Sequence, residues 1–229
     1  MIKLVCLDMA GTTVQDGGVV KESFISAVTE MGLTSGSPAA RGAVQYAVDT
    51  MGQSKIDVFT EIFGGDSAAA GKANSMFEAA YERTISSLGV SPISGAGQAI
   101  NSLREAGLKV VLTTGFSPVT RDRLITSLGW ENLVDDALSP ADAGRGRPAP
   151  DMILTAMLRF GIDDVREIAV AGDTISDLLA GTRSGASVVA GVLTGAHSRE
   201  DLLTAPHTHI LDSITDLPGV LLPQGRSHG

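Results

Sequence analysis

Four polar side chains follow short apolar runs at widely separated points of the 229-residue chain. Asp8, Thr114 and Asp173 each come at or just after the end of such a run, and Asp177 lies four residues beyond Asp173. Short apolar runs closed by polar, glycine-containing turns are typical of buried strands. Because open parallel sheets bind ligands beyond the carboxyl ends of their strands, we expect these side chains to share one site.

The side chains of this expected site favour chemistry on a phosphoryl group. Carboxylates that converge on one point repel each other unless a cation lies between them. Magnesium suits an all-oxygen site that keeps water and a phosphoryl ligand. Arg147 lies in a loop rich in glycine and proline just before an expected helix, and its guanidinium, with hydroxyls and loop amides, would hold phosphate oxygens.

The elements that must position this site alternate between strand and helix patterns. Such alternation predicts an α/β fold, a doubly wound parallel sheet with helices on both faces and right-handed crossovers. The predicted strands cover 2–7, 109–112, 167–171, 187–192 and 208–211. The predicted helices of this part cover 97–106, 119–128, 151–160, 175–184 and 199–203.

The segment between the first two strands breaks the alternation. It shows helical periodicity without a convincing strand, and glycines such as Gly52 interrupt it. A helical block of about 70 residues is too long for an ordinary crossover. We therefore predict an α/β core formed by 1–16 and 89–229, and an inserted helical cap formed by 17–88. The predicted cap helices cover 21–31, 39–51, 55–63 and 69–88.

Composition limits the classes of partner. Asp and Glu number 26 against 17 Lys and Arg, a formal net charge of −9, so nucleic acid and anionic membranes are not expected partners. No apolar run approaches the roughly 20 residues of a membrane span, and Asp8 interrupts the N-terminal apolar run. We expect a cytoplasmic protein. Its one cysteine, Cys6, excludes an internal disulfide, and 224–229 is predicted to be a frayed tail.

Taken in order, the motifs resemble those of the haloacid dehalogenase superfamily. They are Asp8–Thr13 (DMAGTT), Thr114, Arg147 and Gly172–Asp177 (GDTISD). The resemblance implies a Rossmann-like core, with Asp8 as a nucleophile that forms an aspartyl-phosphate. It also implies magnesium held by Asp8, the backbone carbonyl of Ala10, Asp173 and, directly or as an outer ligand, Asp177. The implied phosphate-binding residues are Thr12, Thr114, Gly115 and Arg147.

Further features are similar to the phosphonatase branch of that superfamily. Ala10 stands where most members carry a second Asp, and Arg147 stands where they carry Lys. The segment Met51–Asp57 (MGQSKID) looks like the one that carries the branch's Schiff-base lysine, with Lys55 at the lysine and Met51 beside the substrate. The branch also implies a homodimer formed through the cap. Two departures from its pattern are Val58 in place of His and Phe116 in place of Tyr.

The chemistry of these residues supports the grouping independently. Ala10 cannot protonate a leaving oxygen as a general acid. Carbon–phosphorus cleavage would release a carbanion, and a lysine imine beside it lets the group depart as an enamine. We therefore expect a magnesium-dependent hydrolase that cleaves the C–P bond of phosphonoacetaldehyde or a related 2-oxoalkylphosphonate.

Three other functions stay open at this point. A phosphomonoesterase would act on a small phosphate ester with Asp8 and magnesium but without an imine, although Ala10 argues against it. A haloalkanoate dehalogenase would have no use for Asp177 and the threonines. A ligand sensor built on a retired hydrolase would bind ligand without releasing phosphate.

Overall fold

A computed structural model describes residues 1–222, and the predicted frayed tail lies outside these described residues. Its six strands form one sheet in the order β3-β2-β1-β4-β5-β6, with every neighbouring pair parallel. The doubly wound parallel sheet expected from the sequence is therefore confirmed. The strands are β1 (Leu4–Asp8), β2 (Lys109–Thr113), β3 (Asp136–Leu138), β4 (Ile168–Gly172), β5 (Val188–Val192) and β6 (His209–Leu211).

Five of these strands lie within two residues of their predicted bounds, whereas β3 is absent from the prediction. β3 has only three residues at the edge of the sheet, and it begins with Asp136. A half-buried edge strand of this length has no continuous apolar run by which the sequence could predict it.

The helices of the core flank this sheet, and local signals set their ends. Ser117 and Thr174 cap α6 and α9 through their side-chain oxygens, and Gly129 and Gly185 end the same two helices in the left-handed conformation. The short α7 and α11 were not predicted. The core helices are α5 (Ala96–Glu105), α6 (Pro118–Leu128), α7 (Pro140–Ala143), α8 (Asp151–Arg159), α9 (Ile175–Ser184), α10 (Arg199–Leu202) and α11 (Leu217–Leu221).

Five helices lie between β1 and β2, and the first four of them form the insert, as its helical pattern predicts. Their core is aromatic: the rings of Phe24 and Phe59 stack with centroids 4.5 Å apart, and Phe77 meets both edge-on at 6.2 Å. The domain boundaries at 16/17 and 88/89 stay a prediction. These four helices are α1 (Val19–Glu30), α2 (Pro38–Asp49), α3 (Lys55–Ile62) and α4 (Ser67–Leu88).

The central strands are buried on both faces. Val5 and Leu7 of β1 pack into one apolar cluster, and Leu4 and Cys6 pack into another. Burial on both faces explains why these strands read as continuous apolar runs. Within residues 1–222, no helix combines the length and apolar character that crossing a membrane requires.

Candidate active site

The carboxyl ends of three adjacent strands bring the predicted polar side chains together. β1 lies between β2 and β4, so Asp8 at the end of β1 has Thr114 on one side and Asp173 on the other. All three side chains are buried. They line one cavity of about 390 Å³, whose wall also includes Lys55 from the insert. Other predicted site residues in this wall are Ala10, Met51, Gly115 and Arg147.

Arg147 is the cation that the core contributes to the cavity. Its Nη1 donates to Oδ1 of Asp8 at 2.6 Å and to Oδ1 of Asp177. Its Nε is buried and has no hydrogen-bond partner among residues 1–222. A buried guanidinium with an unused donor at the edge of a cavity is suited to binding an anion such as a phosphonate.

Asp177 holds Arg147 and the loop after β4. Its Oδ2 accepts the backbone N–H of Thr174 at 3.1 Å and the hydroxyl of the same residue at 2.5 Å, while Oδ1 accepts from Arg147. Its side chain does not line the cavity. A direct metal contact for Asp177 therefore stays a prediction, although its carboxylate lies within 4.8 Å of those of Asp8 and Asp173.

Asp173 occupies a polar niche at the cavity wall. Its carboxylate accepts the hydroxyl of Thr12 at 3.0 Å and the backbone N–H of Ala196 at 2.7 Å. Burial and then the negative charge of Asp8 raise the pKa of Asp173 to about 7. Thr12 is fully buried and its hydroxyl is directed to Asp173, so its predicted contact with phosphate stays untested.

The carboxylates of this site fit a hard divalent cation. Asp8, Asp173 and Asp177 offer oxygens within 4.8 Å of one another, which is the donor type that Mg²⁺ prefers. Arg147 pairs with Asp8 and Asp177 but makes no ion pair with Asp173. A cation between Asp8 and Asp173 would offset the second cause of the raised pKa of Asp173, which is the negative charge of Asp8. Ala10 also lies in the cavity wall.

Lys55 is the cation that the insert contributes. It is the first residue of α3 and is only 8% exposed. Burial, followed by the nearby charge of Arg147, lowers the pKa of its amine from 10.5 to about 8, against the opposing charges of carboxylates that include Asp8 and Asp16. At pH 7 about one amine in ten is then neutral and nucleophilic.

Close backbone contacts hold the loop before Lys55 against the core. A Cβ added to Gly115 would lie 2.4 Å from the carbonyl oxygen of Gln53, and one added to Gly146 would lie 2.6 Å from Cβ of Ser54. The backbone N–H of Lys55 also donates to the carbonyl of Gly115 at 3.4 Å. Only glycine permits such an approach, so the core and the insert share a tight joint beside the cavity.

Some residues that line the cavity were not among the site residues predicted from the sequence. Asp16 lines the cavity and accepts the backbone N–H groups of Gly18 and Val20 at the start of α1. The loop 194–197 also lines it, and Nδ1 of His197 accepts the backbone N–H of Ile175 at 3.0 Å. This loop follows β5, so the rule that ligands bind beyond strand ends would have located it.

The two departures from the phosphonatase pattern are both buried apolar positions. Phe116 packs on Tyr81 of the insert with ring centroids 4.6 Å apart, and on Phe77 at 6.2 Å. Val58 is 3% exposed on α3. Neither position supplies a side chain that carries protons.

Comparison with known sequences agrees with this geometry. The family described as haloacid dehalogenase-like hydrolase matches residues 2–185. A phosphonoacetaldehyde hydrolase from Bacillus cereus is 34% identical over 125 residues, which are 54% of this chain but only 46% of that protein. One from Bacillus cereus strain B4264 is 30% identical over 230 residues, covering 93% of this chain and 83% of the relative.

Solved structures share the fold at lower identity. A hydrolase from Pseudomonas syringae has a TM-score of 0.82 at 21% identity, over 96% of this chain and 98% of the other. A phosphonoacetaldehyde hydrolase-like protein from Oleispira antarctica has a TM-score of 0.78 at 22% identity, over 96% and 91%. A protein described as a predicted phosphoglycolate phosphatase from Haemophilus somnus has a TM-score of 0.77 at 17% identity, over 96% and 97%.

The family match covers most of the chain, and the predicted motif residues meet at the strand ends that bind ligands in this kind of fold. The chain is a phosphonatase-like member of the haloacid dehalogenase-like hydrolase family.

Proposed function

We propose that this hydrolase cleaves the carbon–phosphorus bond of a 2-oxoalkylphosphonate, with phosphonoacetaldehyde as the simplest member of the class. The observation that carries the proposal is the place of Lys55. Its amine belongs to the insert, yet it lines the same cavity as the Asp8 carboxylate and the Arg147 guanidinium. An ordinary ester hydrolase has no use for a buried amine whose pKa is lowered to about 8.

In the proposed reaction, Lys55 first condenses with the substrate carbonyl and releases water. Asp8 then attacks phosphorus, and the electrons of the C–P bond move into the imine, so that the carbon fragment departs as an enamine. Protonation and hydrolysis of the enamine free Lys55 and a methyl-bearing carbonyl product. A second water hydrolyses the acyl phosphate and returns Asp8.

The remaining side chains orient and neutralise the phosphonate. Arg147 offers its unused donors to the phosphonate oxygens, and Asp177 keeps the guanidinium in place. The hydroxyl of Thr114 accepts the N–H of Phe116 at 3.2 Å, which leaves its proton free to donate to an oxygen. Asp8 and Asp173 would hold Mg²⁺, which supplies positive charge to the transferring phosphoryl group when bound.

The direct test is to trap the imine. The protein is incubated with phosphonoacetaldehyde, magnesium and borohydride, and its tryptic peptides are then analysed by mass spectrometry. We expect a reduced adduct on Lys55 and, without borohydride, release of phosphate and acetaldehyde. Lys72→Met is the matched control, because Lys72 is an exposed lysine of the same insert and should not change trapping or turnover.

The competing reading is a phosphomonoesterase, and the same preparation distinguishes it. A panel of small phosphate esters is assayed beside phosphonoacetaldehyde with the unchanged protein and with Lys55→Met. Efficient ester turnover that survives Lys55→Met, together with no adduct on Lys55, would overturn the phosphonatase proposal. Magnesium-dependent binding of the phosphonate without any phosphate release would instead point to a sensor.

A further inference from the structure

A small side pocket adjoins the main cavity, and Lys55 lines both of them. Four of its lining residues belong to it alone: Phe24 from α1, Val44 and Ala47 from α2, and Val58 from α3. The rest of its wall is shared with the main cavity, which shows that the two spaces adjoin. The shared residues are Val20, Lys21, Val48, Met51 and Lys55.

The lining of this side pocket is unsuited to water. Apart from Lys21, which is exposed, and Lys55, all of its lining residues are apolar. A buried water requires two to four polar partners, and apolar cavities of this kind stay dry. The pocket therefore favours an apolar group of a ligand over solvent.

The size of the pocket restricts that group. The volume open to the centre of a water-sized sphere is about 10 Å³, against about 390 Å³ in the main cavity. This is room for roughly one water-sized group. A methyl group fits such a space, whereas a longer alkyl chain or a ring does not.

The position of the pocket identifies which substrate atom would enter it. Val58 lies three residues after Lys55, so both side chains project from the same face of α3. In an imine, the carbon bonded to Nζ carries two further substituents. One is the CH₂-phosphonate arm, which must extend toward Asp8 and Arg147, and the other is left to face the side pocket.

Resting on the proposed function, we propose that the preferred substrate is a methyl ketone, 2-oxopropylphosphonate, whose methyl group occupies the pocket beside Val58. The carbonyl condenses with Lys55 and water is lost. Phosphorus passes to Asp8 as the C–P electrons form the enamine, which gains a proton at carbon. Two waters then hydrolyse the imine and the acyl phosphate, so the net reaction converts the phosphonate and one water into acetone and phosphate.

The experiment measures kcat/KM for phosphate release from phosphonoacetaldehyde, 2-oxopropylphosphonate and 2-oxobutylphosphonate. For the unchanged protein we expect the methyl ketone to equal or exceed the aldehyde and to exceed the ethyl ketone by about tenfold or more. Val58→Ile adds a carbon to the wall and should lower the methyl ketone-to-aldehyde ratio by about tenfold. Val58→Ala removes two carbons and should raise the ethyl ketone-to-methyl ketone ratio by a similar factor.

Val58→Ile should lower the methyl ketone-to-aldehyde ratio, and Val58→Ala should raise the ethyl ketone-to-methyl ketone ratio. Poor folding lowers kcat/KM for every substrate alike and therefore changes neither ratio. A preference of the unchanged protein for the aldehyde by more than tenfold would overturn the methyl-ketone inference, and so would ratios that neither Val58 variant changes. In either case, an imine trapped with the aldehyde would still support the proposed function. Failure of all three phosphonates to form an imine on Lys55 would overturn both.

Discussion

Two buried cations, one from the core and one from the insert, line the same cavity, and they are held in different ways. Arg147, from the core, is paired with Asp8 and Asp177, and both carboxylates are themselves buried. Lys55, from the insert, is buried to a similar degree, but within residues 1–222 its amine is influenced by neighbouring charges without a hydrogen-bonded partner.

The difference between the two cations separates two chemical roles. A guanidinium stays charged at every relevant pH, and its carboxylate partners offset the cost of burial, so Arg147 is suited to holding an anion. A buried amine without a partner loses its proton more readily, so Lys55 is suited to attacking a carbonyl. The site therefore obtains an anion-binding group and a nucleophile from two side chains of the same formal charge.

Replacement of Lys55 should have the largest effect on turnover. Lys55→Met removes the imine, so phosphonate cleavage should fall on the order of 1,000-fold or more. The native pKa of Lys55, about 8, lies below its ordinary value of 10.5, so the fold disfavours the ammonium at pH 7. Lys55→Met should therefore raise the free energy of unfolding, by about 1–3 kcal/mol, as measured by urea denaturation.

The predicted gain in the free energy of unfolding of Lys55→Met should depend on pH. The native state binds fewer protons than the unfolded state between pH 8 and 10.5, so unchanged protein should gain stability over that range. The advantage of Lys55→Met should shrink accordingly. A variant less stable than the unchanged protein at pH 7 would show that Lys55 contributes favourable contacts that outweigh its burial.

Replacement of Arg147 should act in the opposite direction on stability. Arg147→Met leaves two buried carboxylates without their cation, which should cost about 3–5 kcal/mol of unfolding free energy. Phosphonate kcat/KM should fall by roughly 100-fold or more, because the anion loses its guanidinium. Arg147→Lys keeps the positive charge but not the planar guanidinium, so it should lose less unfolding free energy and less kcat/KM than Arg147→Met. Equal stability of Arg147→Met and the unchanged protein would contradict the pairing seen here.

The pH dependence of imine trapping tests the lowered pKa of Lys55 directly. Because only the neutral amine attacks, the initial trapping rate with cyanoborohydride should rise about tenfold per pH unit below pH 8 and level off above it. Arg147 lowers the pKa of this amine, so Arg147→Lys should preserve the profile and Arg147→Met should move it to higher pH. A rate that is flat from pH 6 to 8 would contradict the shift.

The joint between the two regions should give the smallest effect. Gly115→Ala places a Cβ within 2.4 Å of the Gln53 carbonyl, so the loop before Lys55 must move and turnover should fall about tenfold. Gly71→Ala is the matched control. Its Cβ meets nothing within 4 Å inside α4, so turnover should stay unchanged while stability rises by about 0.5–1 kcal/mol. Equal turnover of both variants would show that the joint does not position Lys55.

Sequence patterns predicted the four insert helices and the central strands of the core, whereas β3, α7 and α11 of the core were missed. Strands such as β1 and β4 are buried on both faces and are therefore continuous in apolar character, and their ends locate Asp8 and Asp173. The edge strand β3 is short and half-buried, so it gives no such pattern. Asp16 belongs to the cavity for reasons of packing that no local pattern records.

What the sequence by itself determined is the order of the elements, the helical nature of the insert and the residue types that meet at the strand ends. Periodicity is a local property, and the motifs are contiguous or end a strand. Only the tertiary structure decided that Thr12 donates a hydrogen bond to Asp173, that Asp177 pairs with Arg147 and that a methyl-sized pocket lies beside Lys55. These contacts join residues far apart in the chain or on separate helices, so they exist only once sheet and insert have packed together.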